Sequence, residues 1–429
     1  MLKGIKLSRL LPWFDIKDFA HYTSGNLTFQ IASIVAELTV LAFVSIENMG
    51  NWQLGLLIQS YVVLARLGII NAFNREYPYL SASEDVEKST RILATTSLHV
   101  MISSFFQAIV FLFAFLYYRV LLENNPLSLV CLAMVFYTVF DGFLNFEEAR
   151  LRSTKQFKRL GGIKFVGSII VFLTLLLPFY FDFQGLLIRA VLVKGVLWII
   201  LFDKSSYSEF KTASWPIWRH LFNDGWKLWV ISYLRSFNKS APKLYLAIFA
   251  SIGILGLYTP VNWILLSLTL FTTSIGSYLY PHLSSQFAIK GNRSLKKQSI
   301  AISGLSFMVL IPVVLLSYTF LPKVVSLLLP EYTSVIEPMR IALLASLFDV
   351  FLVSTTVWIA MKAWEDIFFF VIISLMIRML SLVWTYTCFT DVLLGVSYSM
   401  LLTSFASVLL MIGIMKYPIR NRSLGKLFS

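Results

Sequence analysis

The sequence predicts an all-α integral membrane protein: twelve transmembrane helices in two pseudo-symmetric six-helix bundles around a central cavity. Three observations carry that expectation. Of 429 residues, 58% are hydrophobic and 14% charged, whereas a soluble domain is about half apolar and about a quarter charged. Apolar runs recur along the whole chain, and Lys and Arg sort to one side of them. Short motifs of the first half return, in order, in the second.

A helix needs roughly 20 apolar residues to cross a bilayer core. Runs of that kind fall at 25–46, 52–73, 92–118, 127–146, 162–181, 184–202, 226–250, 256–283, 299–321, 335–361, 366–389 and 391–415. Glu37 weakens the first, and a cluster of cations weakens the seventh. Residues 1–24 lack an apolar core followed by a small-residue cleavage site, so no cleaved leader is expected. They are expected to lie as an amphipathic segment on the cytoplasmic membrane face. The domain layout that follows is a first lobe over 25–202, a linker over 203–225, a second lobe over 226–415 and a basic tail over 416–429.

Loop charge sets orientation, because Lys and Arg stay on the cytoplasmic side. With the N-terminus inside, the inner segments with their adjoining span ends hold 26 of the 36 Lys and Arg. The outer loops hold two, Arg119 and Lys323. One missed span would scramble that split. Both termini are therefore expected in the cytoplasm. The net charge of +14 follows from this asymmetry and suits anionic headgroups, with no nucleic-acid partner required.

The repeat reads "LGL" at 54–56 and 255–257, "YPYLS" at 77–81 against "YPHLS" at 280–284, and "FDGFL" at 140–144 against "FDVFL" at 348–352. Three collinear matches pair the halves. Six spans per half is an even number, so both halves share one orientation and an axis along the membrane normal, which is the plan of an alternating-access carrier.

Eight cations lie within spans: Arg66, Arg189, Lys194, Arg235, Lys239, Lys243, Arg340 and Arg378. Each costs about 2.5–3.5 kcal/mol at a helix centre. Arg189, Arg340 and Lys243 lie near an outer end and could snorkel. The other five are too deep. The intramembrane acids are fewer, namely Glu37, Asp141 and Asp349. The surplus of positive charge must face water or an anion.

In "YLRSFNKSAPKLYL", residues 233–246, Arg235, Lys239 and Lys243 step by four. Each turns about 40° from the last, giving one ladder roughly 12 Å long on one helix face. Like charges four apart repel, so the ladder fits a hydrated cavity holding an anion. A second reading is a helix that unwinds into a loop at Pro242. Arg66, Lys194 and Arg378 join the ladder as candidate cavity cations. Asp141 and Asp349 occupy matching places in the two halves. They read equally as an ion relay, as counter-ions to those cations, or as structural partners of Arg66 and Arg378. Glu37 carries the same alternatives.

"NWQLGLLIQSYVVLARLGIINAFNREYPYLS", "LGLYTPVNWILLSLTLFTTSIGSYLYPHLS" and "LLPEYTSVIEPMRIALLASLFDVF" resemble the polysaccharide and oligosaccharide flippases of the Wzx type, in the MOP exporter superfamily. The resemblance covers nearly the whole chain, span count and duplication included. It implies transfer of a polyprenyl-pyrophosphate-linked sugar repeat unit to the outer leaflet, as in lipopolysaccharide O-antigen assembly, through a cationic central cavity. The expected partners are that lipid-linked oligosaccharide, membrane lipids and other polysaccharide assembly proteins, and a monomer is the default for a two-lobed carrier. Many relatives have an acidic-basic pair where this chain has Pro242 and Lys243.

Two other classes compete. An ion-coupled exporter of cationic small molecules would want acids in its cavity. A membrane glycosyltransferase, ligase or polymerase would want outer loops and paired carboxylates. The longest outer loop is about 322–334, no DxD motif occurs, and Glu147-Glu148 and Glu365-Asp366 read as helix-end charges. No enzyme activity, cofactor or metal is expected. The two cysteines and four histidines show no ligand spacing.

The orientation is testable with both native cysteines changed to Ser. Asn124→Cys should then react with a membrane-impermeant maleimide on intact cells, and Ser206→Cys only after lysis. The reverse pattern would turn the chain over.

Overall fold

The computed structural model describes residues 16–82, 86–204, 207, 210–267, 292–355, 358 and 363–417, and every regular element among them is helical. In hydrocarbon the backbone must satisfy its own hydrogen bonds, which a helix does within one segment.

The first pass is α1 (Ile16–Val40), which begins ahead of the expected span. The second pass is broken. Helix α2 (Ile46–Val62) tightens into a 3₁₀ turn (Val63–Arg66), and α3 (Ile69–Ala82) leaves bent by 52°. The break sits at Leu67 and Gly68, whose φ angles are 47° and 71°. Gly68 takes that conformation without penalty, and Leu67 takes it at a steric cost.

Helix α4 (Val86–Leu116) ends in a π turn, and α5 (Asn125–Ser153) starts at Asn124, whose side chain accepts from the Leu127 amide. Helices α6 (Phe157–Leu173) and α7 (Leu176–Leu201) follow. Within α7 the backbone leaves helical geometry at Phe181 and Asp182. An added Cβ on Gly185 would meet the Leu177 carbonyl oxygen at 2.1 Å, so the chain reverses sharply there, as the expected boundary at 181–184 requires. Then come α8 (Trp215–Phe249), α9 (Ile252–Ser267), α10 (Asn292–Leu328), α11 (Ile336–Phe351), α12 (Trp364–Cys388) and α13 (Val392–Lys416).

Counting the broken second pass once, the described helices number twelve, as expected. Six of them are long and apolar enough to cross a membrane unaided, and the bent α2–α3 pair is a seventh. The others are shorter or carry the charges that weakened their sequence signal. Residues 1–15 and the repeat motif at 280–284 lie outside the described residues.

The chain divides into two compact units, Met1–Val40 with Ala65–Lys227, and Leu41–Leu64 with Leu228–Ser429. Set beside the expected lobes of 25–202 and 226–415, the first unit also takes in the linker at 203–225, and one helix falls on the other side. Helix α2 groups with the second unit. The cause is a close glycine contact with α9. A Cβ on Gly50 would lie 2.0 Å from the Ile252 oxygen, and one on Gly256 would lie 1.9 Å from the Ile46 oxygen. The contact is reciprocal, so the pairs 46/252 and 50/256 match at one common separation. Gly256 belongs to the repeated "LGL", but its counterpart at the contact is Gly50 rather than Gly55.

Within the first unit, Ile69, Phe73, Ile92, Val100, Phe146 and Leu221 form a buried core. Within the second, Ile231, Trp358, Ile367, Phe370 and Met411 do so. Small polar side chains join α12 to α13, with Ser381 to Ser399 at 2.6 Å and Ser407 to Ser374 at 3.2 Å, a common device where lipid removes any hydrophobic drive between helices.

Gly256→Ala should force α2 and α9 apart, because its methyl meets backbone rather than a movable side chain. The expected cost is about 1–3 kcal/mol, read as a lowered unfolding temperature in detergent. Gly413→Ala, which meets nothing within 4 Å, should leave that temperature unchanged.

Candidate functional site

In the first unit the charges find partners. Arg66 closes the 3₁₀ turn just before the Leu67–Gly68 break, which swings its side chain onto α5. Its Nη2 lies 2.8 Å from Asp141 Oδ2, and Lys194 Nζ of α7 lies 2.8 Å from Asp141 Oδ1. Asn145, one turn after Asp141, donates to Oδ2 at 2.9 Å. Lys194 also sits 5.4 Å from the Tyr137 ring centroid, a cation–π distance. Gly142 makes room for this centre: a Cβ there would lie 1.9 Å from Ser104 Oγ. The Arg66 carbonyl faces His99 Nε2 at 3.1 Å, and Trp218 Nε1 donates to His99 Nδ1 at 3.1 Å. The proton of the neutral ring is therefore on Nε2.

Asp141 thus pairs with Arg66, as one of the sequence alternatives has it, and also with Lys194. Arg189 does not snorkel. It is 3% exposed and pairs with Glu37 at 2.7 Å. A burial that deep is tolerable for an ion only when a partner offsets the lost water. Glu37 is accordingly a counter-ion. Arg340, in the second unit, is held by Glu337 and lies over the Tyr318 ring at 4.7 Å.

The remaining charges of the second unit are arranged otherwise. Helix α8 is unbroken through Pro242, so the ladder lies on helix and the unwound reading is set aside. Lys243 Nζ donates to Gln53 Oε1 of α2 at 2.8 Å, a neutral acceptor. Arg378 of α12 is buried, and its Nε donates to Asn238 Oδ1 at 3.2 Å. That bond fastens Arg378 beside the ladder, three residues from Arg235 and one from Lys239. Lys239 is exposed and Arg235 half-buried. Among the described residues no carboxylate comes within ion-pair distance of these four cations.

Two of their donors, Arg235 Nη2 and Arg378 Nη1, are buried without a hydrogen-bond acceptor. Buried donors in proteins are nearly always satisfied. Asp349 takes a hydrogen bond from Ser404 and feels Arg378 and Lys239 only at longer range. Four cations thus face one carboxylate here, where the Asp141 centre sets two against one. The two aspartates, alike in sequence position, differ in their partners.

Sequence reasoning missed Gln53 and Asn238, whose residue types carry no signal in a long apolar run. Tyr137 and Asn145 stand four residues either side of Asp141 and were legible as one helix face. Glu147, read as a helix-end charge, is buried and bound by Arg150, which also reaches Asp203. Tyr207, in the linker, packs on Phe143, Phe146 and Phe202. Burial, with the Glu147 carboxylate beside it, pushes the Tyr207 phenol well above its usual range. Glu76, His220 and Asp224 bring their ligand atoms within 4.8 Å of one another, but Arg75 pairs with both acids.

A family model described as a polysaccharide biosynthesis protein matches residues 80–337. No curated protein matches the sequence. Solved structures similar to the chain include an inward-facing multidrug resistance MATE family transporter of the MOP superfamily, at 12% identity and TM-score 0.75, covering 95% of this chain and 100% of that one. A MOP superfamily transporter from Pyrococcus furiosus, described as having a binding pocket of reversed polarity, gives 13% and 0.66, covering 96% and 99%. A Vibrio cholerae MATE transporter gives 14% and 0.64, covering 95% and 98%. These likenesses bear out the fold expected from the sequence.

Removing Asp141 should leave Arg66 and Lys194 buried without a counter-charge. Asp141→Asn should therefore destabilise by about 3–5 kcal/mol, and Asp349→Asn by much less. Thermal unfolding of both variants in detergent measures this. Equal losses would make the two centres alike.

Proposed function

The chain belongs to the polysaccharide biosynthesis protein family and has the fold of MOP-superfamily transporters, and from that premise we propose that it flips a polyprenyl-pyrophosphate-linked oligosaccharide from the inner to the outer leaflet by alternating access. The observation that carries this reading is the surplus positive charge of Arg235, Lys239, Lys243 and Arg378 over Asp349. A pyrophosphate cannot enter hydrocarbon while keeping its hydration. Cations and open N–H donors replace that water as it moves.

The roles differ by geometry. Arg378 and Arg235 offer unfilled guanidinium donors, suited to the phosphate oxygens. Lys239, exposed on the same face, adds a mobile point charge. Lys243, held by Gln53 rather than by a carboxylate, can exchange a neutral acceptor for an anionic one. Arg66 and Lys194 hold the Asp141 centre together, and the three carry one net positive charge.

The family is one of biosynthesis proteins and the structural neighbours are transporters. Lipid-linked oligosaccharide is the cargo that suits both. An exporter of cationic drugs is disfavoured by the same four cations.

The test is reconstitution in liposomes with a labelled polyprenyl-pyrophosphate oligosaccharide, following its exposure to an outside reagent. The wild-type chain should flip it well above empty liposomes. The triple change Arg235→Gln, Lys239→Gln, Lys243→Gln should lower the rate at least about tenfold, since each lost charge-assisted bond is worth roughly 1.5–3 kcal/mol. Equal rates in the folded variant would remove the ladder from the path. No flipping by the wild type would return the exporter reading.

A further inference from the structure

The first unit carries a second basic feature, away from the Asp141 centre, where α6 begins beside α1. The two helices cross in backbone contact. A Cβ on Gly25 would lie 2.2 Å from the Gly161 oxygen, and one on Gly161 would lie 2.8 Å from the His21 oxygen. Beside this crossing lies an open groove of about 600 Å³. Its floor is apolar, made by Ile163 and Val166, and Gly162 keeps it clear. Its rim is Lys158, Arg159 and His21.

Charge pairing and position together mark this rim: among the described residues of the connection from α5 to α6, Lys155, Lys158 and Arg159 make no ion pair, and of these Lys158 and Arg159 line the groove. Arg150, Arg152 and Lys164, on the same connection, each have a carboxylate partner. Lys158 and Arg159 are exposed, and neither makes an ion pair among the described residues. Helix α6 also starts at Gln156, whose side chain makes no capping bond. The first amide groups of a helix have no partner within it, and they favour an anion.

We propose that this groove binds an anionic membrane phospholipid, with its phosphate on Lys158, Arg159 and the start of α6, and its first acyl carbons along Ile163 and Val166. A free phosphate would use the rim but leave the floor bare. A zwitterionic lipid would use the floor but bring its own cation to the rim. The first 15 residues of the chain carry Lys3, Lys6 and Arg9 against Asp15, so they have the wrong sign to fill the groove. The site is independent of what the chain transports.

The test uses the full chain, exchanged into phosphatidylcholine nanodiscs with added phosphatidylglycerol and released for native mass spectrometry. Wild type should retain bound phosphatidylglycerol, and Lys158→Gln with Arg159→Gln should bind it roughly 30-fold more weakly, at about 1 kcal/mol per basic residue. Gly162→Leu, which fills the floor but keeps every charge, should weaken it too. Lys155→Gln, an exposed lysine not on the rim, should not. Equal retention by wild type and the double variant would overturn the proposal. So would retention lost equally in Lys155→Gln, which would mean diffuse surface attraction. Displacement of the lipid by equimolar geranylgeranyl pyrophosphate, with no displacement by excess cardiolipin, would give the groove to the transported lipid and overturn the assignment made here.

Discussion

A charge inside a membrane must be answered by an opposite charge, by water or by a ligand, and that requirement organises this molecule. At Asp141 the answer is internal. One carboxylate holds Arg66 from the broken second pass and Lys194 from α7, and so ties three segments of the first unit at one depth. Glu37 and Arg189 repeat the device between α1 and α7. Each of these deep charges has its counter-charge within the first unit.

The backbone places those charges. Leu67 and Gly68, with positive φ, turn the chain so that Arg66 reaches α5. The closeness of α2 and α9 at Gly50 and Gly256 sets where Gln53 stands, and Gln53 is what meets Lys243. Helix α8 runs 35 residues without a break, roughly 52 Å at 1.5 Å per residue. That length keeps Arg235, Lys239 and Lys243 in register on one face despite their mutual repulsion.

The duplicated halves have diverged in what they do with charge. "FDGFL" and "FDVFL" put an aspartate at the same place in each. In the first half it is consumed by two cations. In the second, Arg378 is drawn to Asn238 instead, and Asp349 is left with Ser404 and distant cations. A repeat supplies a scaffold twice. In this chain one copy pairs its aspartate with two cations, and the other leaves Arg235, Lys239, Lys243 and Arg378 without an ion pair among the described residues.

The sequence by itself determined the helical class, the number of passes, the repeat and the four-step ladder on α8. Each depends on local physics: apolar length against bilayer thickness, and 3.6 residues per turn. It also showed that cations outnumber acids within the spans. Which cations are spare was settled by tertiary structure. Arg189 and Glu37 meet across 152 residues, and Lys243 and Gln53 across 190. The assignment of α2 to the second unit, and the groove beside Gly25 and Gly161, are of the same kind. Such pairings depend on how each helix is rotated and how deep it sits, and a helix's own periodicity specifies neither. They are fixed where small residues let backbones touch and where one buried charge has only one partner within reach.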